Sequence, residues 1–356
     1  MRQVTLFRKP DLFAGWPANY GAWAFGAEIV VVFAVGRIAV SDHLHARDMA
    51  SPFRPVQMRS LDSGLTWSEE PFPGSLPGTD VLSTDEHMIE PLRAGPRLSE
   101  EDFTILADPI DFLDEETAIL CARTGLRAGA VSWFYVSRDH CRSWTGPYLL
   151  PDLGEHGTAA RTDIVPLSSR EALWLLTVPS EEGEGGIICV KTSDGGLTFE
   201  PISTVSPEEA GYAIMPSTVR LADGTLVSIV RRPQHLEVAV SSDGGGRWTT
   251  VNRNLAQTGP FGNPGSLVRL DDERIAVIYG RRSKPYAICA RTSSDGGVNW
   301  GDETVIREQR GSADFGYPRS TQVAPGRFLT IYYLNDEPEA ERYIGGTLWD
   351  REDLHT

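Results

Sequence analysis

The 356-residue sequence contains no apolar run long enough to cross a bilayer as a helix. Its opening residues, Met1-Arg2-Gln3-Val4-Thr5-Leu6-Phe7-Arg8, hold no apolar core of the length a secretory signal needs. A cytoplasmic location is therefore expected, or secretion if a leader has been removed. Cysteine is sparse. Cys121, Cys141, Cys189 and Cys289 show neither a CxxC pair nor ligand-like spacing, and Cys189 and Cys289 fall in matching strands, as buried apolar fillers would. Positive charge is also short: 33 Lys and Arg face 49 Asp and Glu, a formal charge of −16. That balance excludes a nucleic-acid backbone or an anionic membrane as the expected partner. A small anionic ligand remains compatible, because a site can be locally basic.

Turn-forming residues are abundant. The 35 glycines and 24 prolines accompany 40% hydrophobic residues, a mixture suited to many short strands joined by turns. One pattern occurs five times. Ser60-Leu61-Asp62-Ser63-Gly64-Leu65-Thr66-Trp67 returns as Ser137-Arg138-Asp139 to Trp144 and as Thr192-Ser193-Asp194-Gly195-Gly196-Leu197-Thr198-Phe199. It returns again as Ser241-Ser242-Asp243-Gly244-Gly245 to Trp248 and as Ser293-Ser294-Asp295-Gly296-Gly297-Val298-Asn299-Trp300. Successive aspartates are 77, 55, 49 and 52 residues apart, and a period near 50 marks a repeat architecture. The hydroxyl and carboxylate can accept backbone amides in a tight turn. Glycine supplies positive φ, and the closing aromatic anchors the turn to the layer below.

This turn resembles the Asp-box of the sialidase-like BNR-repeat β-propellers. The resemblance implies an all-β fold in which each box joins the third and fourth strands of a four-stranded blade, its aspartate stapling the turn. Alternation places the other strands at 217–221, 226–230 and 237–240 before the fourth box, and at 266–270, 275–279 and 287–290 before the fifth. Blade 3 takes 163–165, 173–176 and 187–190; blade 2 takes a segment near 102–106, then 118–122 and 131–135; blade 1 begins near Tyr20 and continues with 28–33. Strands at 321–323, 327–333 and 343–348 follow the last box without room for a fourth, and the strand at 4–7 can complete them. Closing the ring in this way removes an exposed edge. The expectation is a six-bladed β-propeller forming one domain over 1–356. A Pro-, Gly- and acid-rich stretch at about 71–100 is read as a long loop, either a lid over one end of the channel or a solvated connection.

The resemblance also implies a site. Sialidases hold a substrate carboxylate with three arginines and attack with a tyrosine made more reactive by a glutamate, while an aspartate serves as acid/base. A guanidinium matches a carboxylate in shape and charge, and a neutral nucleophile avoids repulsion by an anionic sugar. Carried over, Tyr317, nine residues before Gly326, is the nucleophile, and Asp48, 12 residues before the first box, is the acid/base. Arg231, seven residues after Gly224, is the second carboxylate-binding arginine, and Arg281 or Arg282 the third. Two positions depart from the pattern. Gly15-Trp16-Pro17-Ala18-Asn19-Tyr20 replaces the Arg-Ile-Pro motif of the first arginine, and Met215 stands where the glutamate belongs, with Glu208 and Glu209 upstream. Trp16 and Asn19 read instead as a sugar-binding surface, a ring for stacking and an amide for a hydroxyl.

Arg161 and Asp163 alternate on the inner strand of blade 3 and can face one side, and Arg319 occupies the related point of blade 6. Each arginine also suits a blade-to-blade ion pair. His43 and His45, followed by Arg47, could hold a metal with Asp48. A hydrogen bond to a substrate hydroxyl or to the acid/base is preferred, and no metal or cofactor is expected. The expected function is exo-hydrolysis of a terminal acidic or modified sugar from a glycan, with carbohydrate as partner. Two alternatives stay open: a lyase acting on uronates, and a non-catalytic propeller that binds glycan or protein.

Overall fold

The first strand, β1 (Arg2–Phe7), pairs not with its neighbour in sequence but with the last, β24 (Tyr343–Asp350), placing Val4 opposite Gly346. The computed structural model describes residues 1–39, 44–78, 85–153, 156–181, 183–206 and 212–354, with Glu86 given by its backbone alone. Within it, six small antiparallel sheets follow one another around a ring as the blades of a propeller. Blade 1 consists of β2 (Leu12–Gly15), β3 (Gly21–Phe25), β4 (Glu28–Arg37), β5 (Arg54–Ser60) and β6 (Ser68–Pro71). Blade 2 has β7 (Ala118–Arg123), β8 (Ser132–Ser137) and β9 (Thr145–Leu149). Blade 3 has β10 (Ile164–Pro166), β11 (Ala172–Pro179), β12 (Glu184–Thr192) and β13 (Glu200–Ser206). Blade 4 has β14 (Ile214–Arg220), β15 (Leu226–Arg231), β16 (His235–Ser241) and β17 (Thr249–Gln257). Blade 5 has β18 (Gly265–Arg269), β19 (Ile275–Arg281), β20 (Ala287–Ser293) and β21 (Thr304–Glu308), and β22 (Gly316–Ala324) and β23 (Arg327–Leu334) join β24 and β1 in blade 6. Second strands such as β4 are buried along nearly their whole length because blades cover both faces, hence their continuous Ile-Val-Val-Val-Phe composition.

Each of the five boxes joins the last two strands of its blade, which in the three-stranded blade 2 are β8 and β9. In the first, Asp62 Oδ1 accepts the amides of Leu65 and Thr66 at 3.0 and 2.8 Å, Oδ2 accepts the Thr66 hydroxyl at 2.6 Å, and Trp67 Nε1 donates to the Gly64 carbonyl at 3.0 Å. The Thr66 hydroxyl and amide and the Ser60 hydroxyl hold Asp62 down to about 2, so the staple is ionised at neutral pH. The second glycine of the box has an interblade role. A Cβ on Gly245 would lie 3.0 Å from Leu173 and 3.1 Å from Cys189 of blade 3, and one on Gly64 would lie 3.1 Å from Leu329 of blade 6. Gly297 of the fifth box likewise meets Val238 and Val227 of blade 4, so boxes 4 and 5 press on the preceding blade and box 1 presses on the last. All four cysteines are free and buried.

Two local predictions differ from the structure. Residues 102–106 form no inner strand of blade 2; a short 3-10 turn ends at Asp102, and Thr104 bridges to Tyr148 on the outer strand. Four residues before β7 the chain turns at Asp114, whose side chain binds the Glu116 amide and the Thr117 hydroxyl, so the run into β7 is short. In blade 1 the inner strand is broken. Ala14 pairs with Val35 and Ala22 with Val31, while Pro17–Asn19 between them make a 3-10 turn entered through Trp16 at φ 59°. The long loop packs back on this break: His87 and Met88 are buried, and the Ile89 amide donates to the Met49 carbonyl at 3.0 Å. Among the described residues, no helix is long and apolar enough to cross a membrane.

Candidate functional site at the channel mouth

Tyr317 lies on a bulge at the start of β22, with φ 52°. Its amide donates to Asn263 Oδ1 at 3.1 Å, and Asn263 Nδ2 donates to the Phe315 carbonyl at 3.0 Å, so blade 5 pins the bulge of blade 6. Gly316 precedes it because any Cβ there would meet the Asn263 side chain within 2.2 to 2.7 Å. Met215 (φ 51°) and Trp16 (φ 59°) have the same left-handed backbone, and each of the three is followed by proline. Such a conformation costs roughly 1–3 kcal/mol per non-glycine residue. It recurs at the head of blades 1, 4 and 6.

Two guanidiniums bracket the tyrosine. Arg231, at the end of β15, donates from Nη1 to Tyr317 Oη at 3.2 Å and to Met215 Sδ at 3.3 Å, and from Nη2 to the Phe261 carbonyl at 2.8 Å. Arg282, just beyond β19, donates to the Phe315 carbonyl (2.7 Å), the Gly262 carbonyl (2.7 Å) and Tyr333 Oη (3.3 Å). Their carbons lie 5.5 and 5.6 Å from the Tyr317 ring centroid, a cation–π distance. Burial alone would raise the Tyr317 hydroxyl, but the charges of Arg231 and Arg282, the Arg231 hydrogen bond and the charge of Arg161 overcome it, and the pKa falls below the usual tyrosine value. Neither Arg231 nor Arg282 donates to a carboxylate among the described residues.

Behind the tyrosine lies a second buried cluster. Asp314 Oδ1 meets His45 Nδ1 at 2.7 Å and accepts the Tyr333 hydroxyl at 2.7 Å, while Oδ2 accepts Arg342 Nε at 2.8 Å and the Ala46 amide at 3.0 Å. Burial opposes its charge, yet His45, Arg342 and the amide hold Asp314 far below the ordinary carboxylate range. His45 is held down to about 4, chiefly by burial, with Arg282 and Arg47 adding to the effect against the pull of Asp314. Its ring lies 6.1 Å from that of Tyr317.

A cleft of about 740 Å³ opens beside this centre, lined by Asp85 and Arg93 of the long loop, by residues 124–130, and by Glu184 and Tyr212. Glu184 and Tyr212 connect it to the arginines: Arg161 Nη2 is 2.6 Å from Glu184, and Arg231 lies 5.7 Å from the Tyr212 ring. Burial raises Asp85 above the usual aspartate value, although the amides of Gly95 and Ala94 donate to its carboxylate.

The structure brings together Tyr317, Arg231, Arg282 and His45, with Arg161 and Arg47 near them. Other assignments need correction. Asp48 turns into its own loop, accepting the Ala50 amide at 2.9 Å and the Ser51 hydroxyl at 2.6 Å; the Ser51 bond, then the amide, lowers its pKa, which suits an ionised turn residue and not a proton donor. Arg281 points away, pairing with Glu303 and donating to the Pro285 carbonyl. Arg319 and Asp163 are engaged by backbone and hydroxyl partners of other blades. Arg319 donates to the Thr162 carbonyl at 2.9 Å, and Asp163 accepts the Thr218 amide and hydroxyl at 3.0 and 2.8 Å. Trp16 is 1% exposed and stacked on His87 with centroids 4.0 Å apart, so a histidine covers the face assigned to a sugar. Asn19 is buried and accepts Arg161 Nε at 3.1 Å. His43, Glu208 and Glu209 lie outside the described residues. Among the described residues, no cluster of three His, Cys, Asp or Glu side chains could hold a metal ion.

Asp314, Tyr333, Glu184 and Tyr212 escaped the sequence reading. A usable signal existed for the ring itself: Trp16-Pro17, Met215-Pro216, Asn263-Pro264 and Tyr317-Pro318 repeat one residue–proline step at the head of four blades.

Six blades with five boxes define a sialidase-like propeller. The chain belongs to the BNR repeat-like domain family, whose model matches residues 117–330. No curated protein matches the sequence. Among solved structures it is similar to a protein of unknown function from Dyadobacter fermentans, at 22% identity and a TM-score of 0.71, covering 98% of this chain and 97% of that one. It is similar also to the NanB sialidase of Streptococcus pneumoniae, at 13% identity and a TM-score of 0.64, over 99% of this chain and 71% of that one. A third similar structure is the Trypanosoma rangeli sialidase, at 11% identity and a TM-score of 0.62, over 98% of this chain and 59% of that one.

Proposed function

We propose that this propeller processes glycans, binding a carboxylate-bearing sugar against Arg231 and Arg282 and cleaving it from its chain with Tyr317 as nucleophile. The observation that carries this reading is the tyrosine held between two arginines that donate to no described carboxylate. In a chain of charge −16, buried arginines without acidic ligands are an exception. A sugar carboxylate would supply the missing anion, and the same charges stabilise the phenolate form of the attacking group. The NanB sialidase was solved with an ammonio-ethanesulfonate compound, a zwitterion whose negative end is a sulfonate.

A binding-only propeller is favoured by one observation: Met215 contacts Arg231 where an activating glutamate would be expected. Turnover separates the two readings. Aryl glycosides of sialic acids, other ulosonic acids and uronic acids are to be assayed with the wild type and with Tyr317→Phe. Release of the aryl group by the wild type, lost in Tyr317→Phe, is the expected result. Retained affinity without turnover in either protein supports the binding module, and absorbance of an unsaturated uronate supports a lyase.

A further inference from the structure

The hydrolysis just proposed requires a proton to leave the Tyr317 hydroxyl as its oxygen attacks and to reach the departing oxygen as the glycosidic bond breaks. With Met215 in place of a glutamate and Asp48 closed into its own turn, neither expected carboxylate can carry that proton. We propose that His45, oriented by Asp314, is the proton carrier of this site, a role that rests on the reading of Tyr317 as nucleophile.

The geometry is that of a carboxylate–imidazole pair. Asp314 is buried, ionised and bound to Nδ1 at 2.7 Å, so in the neutral ring the proton sits on Nδ1 and Nε2 carries the lone pair. Arg342 and the Ala46 amide fix the carboxylate from its other oxygen. The edges of Trp16 and Phe13 pack against the ring, with centroids 5.3 and 6.3 Å away, and set its plane. Among the described residues, the charged and titratable groups facing it include Asp314, Tyr333, Tyr317, Arg282, Arg47 and His87. With a pKa of about 4 the ring is neutral at pH 7.

In the first step Nε2 takes the phenolic proton while the tyrosyl oxygen bonds to the anomeric carbon. The glycosidic bond breaks with its electron pair on the leaving oxygen, which receives that proton from the imidazolium. In the second step a water gives a proton to Nε2 as its oxygen bonds to the anomeric carbon; the bond to the tyrosyl oxygen breaks with its electron pair on that oxygen, which takes the proton from the imidazolium, restoring the phenol and the neutral ring. His45 is then the catalytic base and acid, and Asp314 a positioning residue.

The test compares His45→Gln with the wild type on an aryl and an alkyl glycoside of the same sugar, from pH 3 to 10. General acid–base catalysis contributes about 10²–10⁴-fold, so His45→Gln should lose a factor of that order on both substrates at pH 7. On the aryl glycoside, whose leaving group needs no proton, activity should return as rising pH ionises Tyr317; on the alkyl glycoside it should not. The acid limb of the wild-type profile, near pH 4, should vanish in His45→Gln and move to lower pH in Asp314→Asn. Thermal melts confirm that each variant folds, and His45→Gln decides alone if Asp314→Asn does not. A His45→Gln protein with wild-type rates and pH profile, alongside an inactive Tyr317→Phe, overturns this inference while the hydrolytic function stands. A fully active Tyr317→Phe, or a wild type without turnover, overturns both.

Discussion

Removing the charge of Arg231 should move the ionisation of Tyr317 more than that of any other tyrosine. Arg231 Nη1 donates to Tyr317 Oη at 3.2 Å, and its charge lies 5.5 Å from the ring centroid. A hydrogen bond to a charged partner contributes about 1.5–3 kcal/mol, and one pKa unit corresponds to about 1.36 kcal/mol. Arg231→Gln should therefore raise the Tyr317 pKa by about one to two units, leaving burial opposed by Arg282 and the more distant Arg161. The sign follows for stability. A depressed phenol pKa stabilises the fold fully above the unfolded tyrosine value and not below the folded one, so the wild type should gain over Arg231→Gln as pH rises through that window. Ultraviolet difference titration of tyrosinate, with Tyr317→Phe as the blank, isolates this group among the 10 tyrosines. The same loss predicts affinity for a carboxylate-bearing sugar about 10- to 150-fold weaker. Identical Tyr317 titrations in the wild type and Arg231→Gln would refute the electrostatic account of the site.

Two further outcomes concern the scaffold. Gly245→Ala, at φ +93° and pressed on Leu173 and Cys189, should destabilise the protein by about 1–3 kcal/mol, while Gly125→Ala, with open space around it, should stay within about 0.5 kcal/mol. Equal melting temperatures for the two variants would remove the box glycine from the interblade contact. The buried free cysteines should resist a bulky thiol reagent in the folded protein and yield four reactive thiols in denaturant; early reaction of Cys189 would mean that the box over it opens locally.

Much of the scaffold was legible because its determinants are local. The carboxylate of Asp62 binds within its own turn, so the box and its place between strands follow from eight consecutive residues. Arg231 and Tyr317 were legible through their distance from neighbouring turns. Asp48 misled for a local reason as well: a serine three residues later captures its carboxylate, a competition that family spacing does not register. Trp16 misled for a distant one, since the ring that stacks on it comes from His87 of the long loop, 71 residues onward. Asp314 carried no motif at all. Its importance comes from His45, Tyr333 and Arg342, gathered from three separate segments.

By itself, then, the sequence determined the repeat, the number of blades and the closure of the ring, because each rests on turns and alternations complete within a few residues. The composition of the channel mouth was decided only by tertiary structure. His45 and Asp314 are 269 residues apart and meet because ring closure sets blade 6 against blade 1. The two arginines flank Tyr317 because the end of β15 in blade 4 and the residue after β19 in blade 5 meet the left-handed bulge of blade 6. A buried charge acquires its pKa from every neighbour at once, and those neighbours exist only after the ring has closed.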